Sequence, residues 1–169
     1  KEVSAETSDT VAVAVFRIGE EWLAFAVHVV AEVTQHRTIH LIPHRSDRRL
    51  MGLVNIRGEL HLCVSLADLL GNEPVDAAPA ESSSHHARVG ELSPTGRLLV
   101  SEYASQRWVF PVDEVAGIHR VGVDRLADLP ASVDKNPKRC SRAAFDWDGK
   151  SVGYLAEDRI FDSFQGSLK

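Results

Sequence analysis

The chain has 169 residues, with 24 Asp and Glu against 19 Lys and Arg, and a formal net charge of −5 at pH 7. That length suits one domain or two small ones, and 44% apolar with 25% charged residues is an ordinary globular composition. No apolar run reaches the ~18–20 residues of a membrane-spanning helix, Cys63 and Cys140 cannot build a disulfide-dense scaffold, and the mild acidity offers no general attraction for nucleic acid or anionic lipid.

The chain starts at Lys1 with no basic-plus-apolar leader, which reads as a start inside a gene product or after a removed segment, with a cytoplasmic address. Residues 1–10 are polar and read as a flexible arm. Val11, Val13, Val15 and Ile18 then supply β-branched residues for a strand. Gly19, Glu20 and Glu21 make a polar turn before a second extended run, WLAFAV, and together these signal a hairpin. The next segment, VHVVAEVTQH, fits a short helix or an irregular strand. Pro43 stops any helix ahead of the basic HRSDRR. In GELHLCVSL, Leu60, Leu62, Val64 and Leu66 fall on one face and His61, Cys63 and Ser65 on the other, as in a half-buried antiparallel strand. LADLLG follows as a short helix with Gly71 at its end.

Residues 72–96 hold three prolines and three consecutive serines with almost no large apolar side chain, so they read as a mobile connection. The second half repeats the grammar of the first. RLLVSEY and RWVFPVDEV are extended runs, and AFDWDGKSVGYL carries Asp148-Gly149, the favoured pair for a tight hairpin turn. AEDRIFDSF spaces Ile160, Phe161 and Phe164 for a short docking helix. The expected architecture is all-β: two small barrels, one from residues 11–71 and one from 97–169, with a few short helices.

Chemistry is harder to find. His36, His40 and His44 lie four apart, but Thr38, Ile39 and Pro43 oppose a helix there, and no thiol or carboxylate pair completes a ligand set. His85-His86 falls in the connection. No nucleophile elbow, phosphate loop or HExxH is present, so no enzymatic activity and no cofactor are expected. Cys63 reads as a small apolar strand residue, and Asp146 and Asp148 as solvated hairpin carboxylates. What remains is a contact surface: Arg45, Arg48, Arg49 and Arg57 gather positive charge beside Gly52 and Gly58. A barrel that binds nucleic acid through Arg45, Arg48 and Arg49 is disfavoured by the net charge.

The stretch MGLVNIRGELHLCVSLADLLG resembles the signature of the CheW family, the coupling scaffolds of bacterial chemotaxis, in its G-x-x-N-[LI]-R-G run followed by a strand. VFRIGEEWLAFAVHVVAEVTQ is similar to the family's first hairpin and following segment, whose glutamate matches Glu32. FPVDEVAGIHRV resembles the V-D-x-V-x-x-[VI] segment of the second half. The resemblance spans roughly residues 11–165.

It implies two five-stranded SH3-like barrels side by side and no catalysis. It also implies two partners, the cytoplasmic tip of methyl-accepting receptors and a CheA-type histidine kinase. Carried over position by position, receptor contacts fall on Val30, Gly52, Arg57 and Ile118, and a kinase contact on Glu32. The family's Pro and Asp after NxRG are Leu62 and Ser65 here, which marks a divergent member, as would serve an alternative chemosensory pathway. The other reading of the same resemblance is a CheW-like regulatory domain of a histidine kinase, or of a CheV-like adaptor.

Overall fold

The computed structural model describes residues 9–43, 49–70, 95–128 and 140–166. The first eight residues of the expected arm, His44, Arg45 and Arg48, Gly71, and residues 72–94 of the expected connection (with His85 and His86) lie outside them.

Three strands lead from the N-terminus: β1 (Thr10–Ile18), β2 (Glu21–Ala26) and β3 (Val30–Thr34), with a 3-10 turn at Val27–Val29 between the last two. The segment that fitted either a helix or a strand is therefore one turn of the first and five residues of the second. Strands β4 (Ile39–His40), β5 (Leu50–Ile56) and β6 (Glu59–Val64) precede helix α1 (Leu66–Leu69). The Ser65 hydroxyl caps α1 by accepting from the Asp68 amide. Beyond residue 95 come β7 (Arg97–Tyr103), β8 (Gln106–Val112), β9 (Glu114–Gly122), β10 (Ala127–Asp128), β11 (Ser141–Trp147), β12 (Lys150–Leu155) and helix α2 (Glu157–Gly166). Three two-residue hairpin turns, Arg57-Gly58, Ala104-Ser105 and Asp148-Gly149, have positive φ at both positions. That conformation matches the twist of the strands they join.

The strands form two sheets, with orders β10-β11-β12-β2-β1-β9 and β3-β7-β8-β6-β5-β4. Each has five longer strands and a two-residue edge strand, in agreement with two five-stranded SH3-like barrels. Closure shows in side chains that meet across the sheets. The His119 and Trp147 rings, on β9 and β11, lie 4.9 Å apart although three strands separate them in the first sheet. A flat sheet would hold them ~19 Å apart.

The boundary between the sheets is not the one expected. Strands β1, β2 and β9 to β12 build the first sheet, and β3 to β8 build the second. The chain crosses at the 3-10 turn Val27–Val29 and returns at Asp113, so the barrels do not correspond to residues 11–71 and 97–169. The repeated grammar is nevertheless real. The hairpin β1–β2, with Ile18 paired to Glu21, matches β7–β8, with Tyr103 paired to Gln106. The parallel pair β12–β2 matches β6–β8. Even the backbone bonds repeat, since Ser65 N donates to Arg49 O and Ala156 N donates to Cys140 O at the same place in each sheet. Each repeat contributes its hairpin to the sheet of the other.

Alternation along the strands sorts the core into layers. Ile39, Val54, Ile56, Cys63, Leu98, Val100 and Val109 fill the second barrel. Phe16, Phe25, Phe110 and Trp108 pack between the sheets, where α2 adds Phe161 against Phe25 and Phe164 against Trp108. Strand β6 is thus not half-buried as its pattern suggests. Cys63 and Val64, adjacent and on opposite faces, are both buried, while Leu60 is 60% exposed at the open end.

Candidate functional site

Arg57 occupies the first position of the β5–β6 turn with φ 53, where Gly or Asn is the favoured residue. The turn is braced by Asn55, whose side-chain oxygen accepts the Gly58 amide at 2.8 Å. Held this way, the Arg57 side chain is 79% exposed, and its Nε donates to Glu32 Oε1 at 2.9 Å. Glu32 lies on β3 at the edge of the same sheet, paired with Val100 on β7. Two strands, β7 and β8, separate β3 from β6, so this ion pair spans the mouth of the second barrel.

Val30 and Gly52 sit close to this pair in the chain. Val30 opens β3, is half-buried and packs against the main core. Gly52, on β5, is buried beneath β4 with φ 152, and a Cβ there would overlap the His40 carbonyl. Its want of a side chain serves the approach of β4. Ile118 stands apart on β9 of the other sheet, 66% exposed and paired with Ala14, on the face that also carries Phe25. The structure therefore joins Arg57 to Glu32, places Val30 two residues before Glu32 on β3, sets Gly52 five residues before Arg57 on β5 beneath β4, and holds Ile118 on the other sheet.

Other residues singled out in the sequence fall elsewhere. Cys63 is inside the second barrel, and burial pushes its thiol up to about 12, so it has no thiolate to offer. Asp146 and Asp148 are exposed, with Asp148 3.9 Å from Lys150. His36 and His40 lie between β3 and β5, and among the described residues no three His, Cys, Asp or Glu gather as a metal site.

Sequence reading missed the corresponding end of the first barrel. There Trp22 and Trp147 lie 5.5 Å apart, and Lys150 Nζ sits 4.6 Å from the Trp22 ring and 5.4 Å from Trp147. His119 packs on Trp147 and reaches the Ala116 carbonyl at 3.2 Å. The signal was present, because Trp147 and Lys150 flank the Asp148-Gly149 turn as Ile56 and Glu59 flank Arg57-Gly58. The turns carry opposite charge, Arg57 in one and Asp148 in the other. One barrel mouth is bridged by an ion pair, the other by indoles around an ammonium.

Comparison with known proteins agrees with the two-barrel fold. The fold is similar to that of the scaffolding protein TtCheW from Thermoanaerobacter tengcongensis, with a TM-score of 0.69 at 17% identity, over 92% of this chain and 90% of that one. No curated protein matches the sequence. The CheW-like domain family matches residues 12–165. With that match spanning all twelve strands but the first two residues of β1, the chain is a member of the CheW-like domain family.

Proposed function

We propose that this chain is a non-enzymatic coupling scaffold that links the cytoplasmic tip of methyl-accepting chemoreceptors to a CheA-type histidine kinase. The observation that carries the reading is Arg57. A long cation stands at a turn position suited to Gly or Asn, mostly exposed, and held in one orientation by Glu32. Local stability alone would favour another residue there, and departures from local preference concentrate at functional positions.

A receptor tip is a helical hairpin, and its docking calls for apolar contacts with a few oriented polar groups. Val30 and Ile118 supply the first, and Arg57 the second, with Gly52 keeping β4 tight beneath the surface. Glu32 belongs to the kinase-facing side in this reading. Among the described residues no helix is long and apolar enough to cross a membrane, and the scaffold works in the cytoplasm on membrane receptor complexes.

The test is titration calorimetry of the chain with a receptor cytoplasmic fragment and, separately, with the kinase. Saturable binding of both is expected. Binding of neither overturns the proposal, and binding of the receptor fragment alone overturns the coupling role.

A further inference from the structure

His36 lies two residues beyond β3, in the link to β4, and among the described residues neither ring nitrogen has solvent or a hydrogen-bond partner. Two charged groups from other elements face it, Arg97 at the start of β7 and Asp113 at the crossing from β8 to β9. Arg37, next to it on its own link, is exposed. Asp113 is already engaged: its carboxylate accepts the Gly19 amide at 2.6 Å, its amide donates to Arg17 O, and its carbonyl accepts the Thr95 hydroxyl. A proton on the imidazole would thus place a second cation beside Arg97, with its N–H groups lacking acceptors.

The strand next to this ring is weakly held. β3 has five residues, bonds to β7 alone and has an irregular register between Val30 and Glu32. A buried donor without an acceptor is costly, and more so when charged, which matters most where the local opening free energy is small, as at an edge strand.

We propose that His36 is an acid-operated latch: neutral, it docks the β3–β4 link against the start of β7, and protonated, it releases that link and loosens β3. Burial and Arg97 lower its proton affinity against the opposing pull of Asp113. Since the unfolded chain then takes the proton first, stability is intact above about pH 6.5 and falls as the pH drops below it. The latch concerns the chain alone and holds whichever partners it binds.

The experiment is amide hydrogen exchange on the full chain at pH 7.5 and 5.5, with rates corrected for intrinsic pH dependence. Protection over residues 30–40 is expected to fall at pH 5.5 while β1 and β8 keep theirs. In His36→Phe it should stay constant, and His28, His40 and His119, which that variant retains, serve as the internal control. Should that variant not fold, NMR titration of the His36 ring in the native chain decides. A midpoint at or above 6.5, or equal loss of protection in His36→Phe, would overturn the latch.

Discussion

The guanidinium of Arg57 and the carboxylate of Glu32, 25 residues apart in sequence, meet at 2.9 Å across the mouth of the second barrel. Resemblance assigns these two residues to different partners, yet they share one ion pair. An exposed pair of this kind contributes under about 1 kcal/mol to stability. Arg57→Ala is therefore expected to leave the unfolding midpoint within a few degrees while weakening receptor-fragment binding by ~2 kcal/mol or more. Glu32→Ala should weaken the same binding, because it frees Arg57 to leave its orientation. Calorimetry on both single variants and the double variant checks this, and purely additive losses would count against a role for the pair.

Arg57→Gly separates function from stability. Relief of the positive φ at a turn position should raise stability by up to about 1 kcal/mol in urea unfolding. Receptor-fragment binding should drop as it does in the alanine variant. A destabilised Arg57→Gly chain would remove the reason given for reading Arg57 as a functional residue.

Gly52→Ala is expected to behave differently from any surface variant. The added Cβ meets the His40 carbonyl, and the backbone conformation itself disfavours a side chain. A loss of more than about 2 kcal/mol in urea unfolding should accompany whatever binding is lost. Retained stability with lost binding would make Gly52 a direct contact rather than a packing position.

Ile118→Asp tests the contribution of the second sheet. The side chain is mostly exposed, so stability should change by less than about 0.5 kcal/mol. Receptor-fragment affinity should fall at least tenfold, against little change for Val33→Asp, 41% exposed at the matching position of β3. Equal effects of the two substitutions would deny Ile118 a specific place in the interface.

The Cys63 thiol, pushed up to about 12 inside the second barrel, should resist alkylation at pH 8 in the native chain and react only on unfolding. Mass spectrometry after timed iodoacetamide treatment reads this out. Rapid native modification of Cys63 would show that the barrel opens near β6.

Much of this was legible in the residues. The Asp148-Gly149 turn, the helix bearing Ile160, Phe161 and Phe164, and the hairpin around Gly19 all follow from local chemistry, and each is where the pattern puts it. The NxRG run located Arg57, although only the fold shows that Glu32 meets it. Sheet membership was not legible, because a crossing as short as Asp113 leaves no compositional mark and β-branched runs look alike in either barrel. The alternation in β6 misled for a related reason. It presumes one wet face, whereas this strand has a barrel interior on one side and α1, α2 and the other sheet on the other. The Trp22, Trp147, Lys150 and His119 group needed barrel closure to exist at all.

The exchange of hairpins between the repeats bears on how the protein is made. Trp22 cannot meet Val152, nor Val13 its neighbour His119, until the chain has been made through those distant residues. The second barrel, contiguous in sequence, can assemble during synthesis, but the first hairpin must wait with its inner edges unsatisfied. Such distant pairings fold slowly. A stop codon before β9 would leave both β1 and β2 as exposed, adhesive strands, and so a target for degradation rather than a shorter working scaffold.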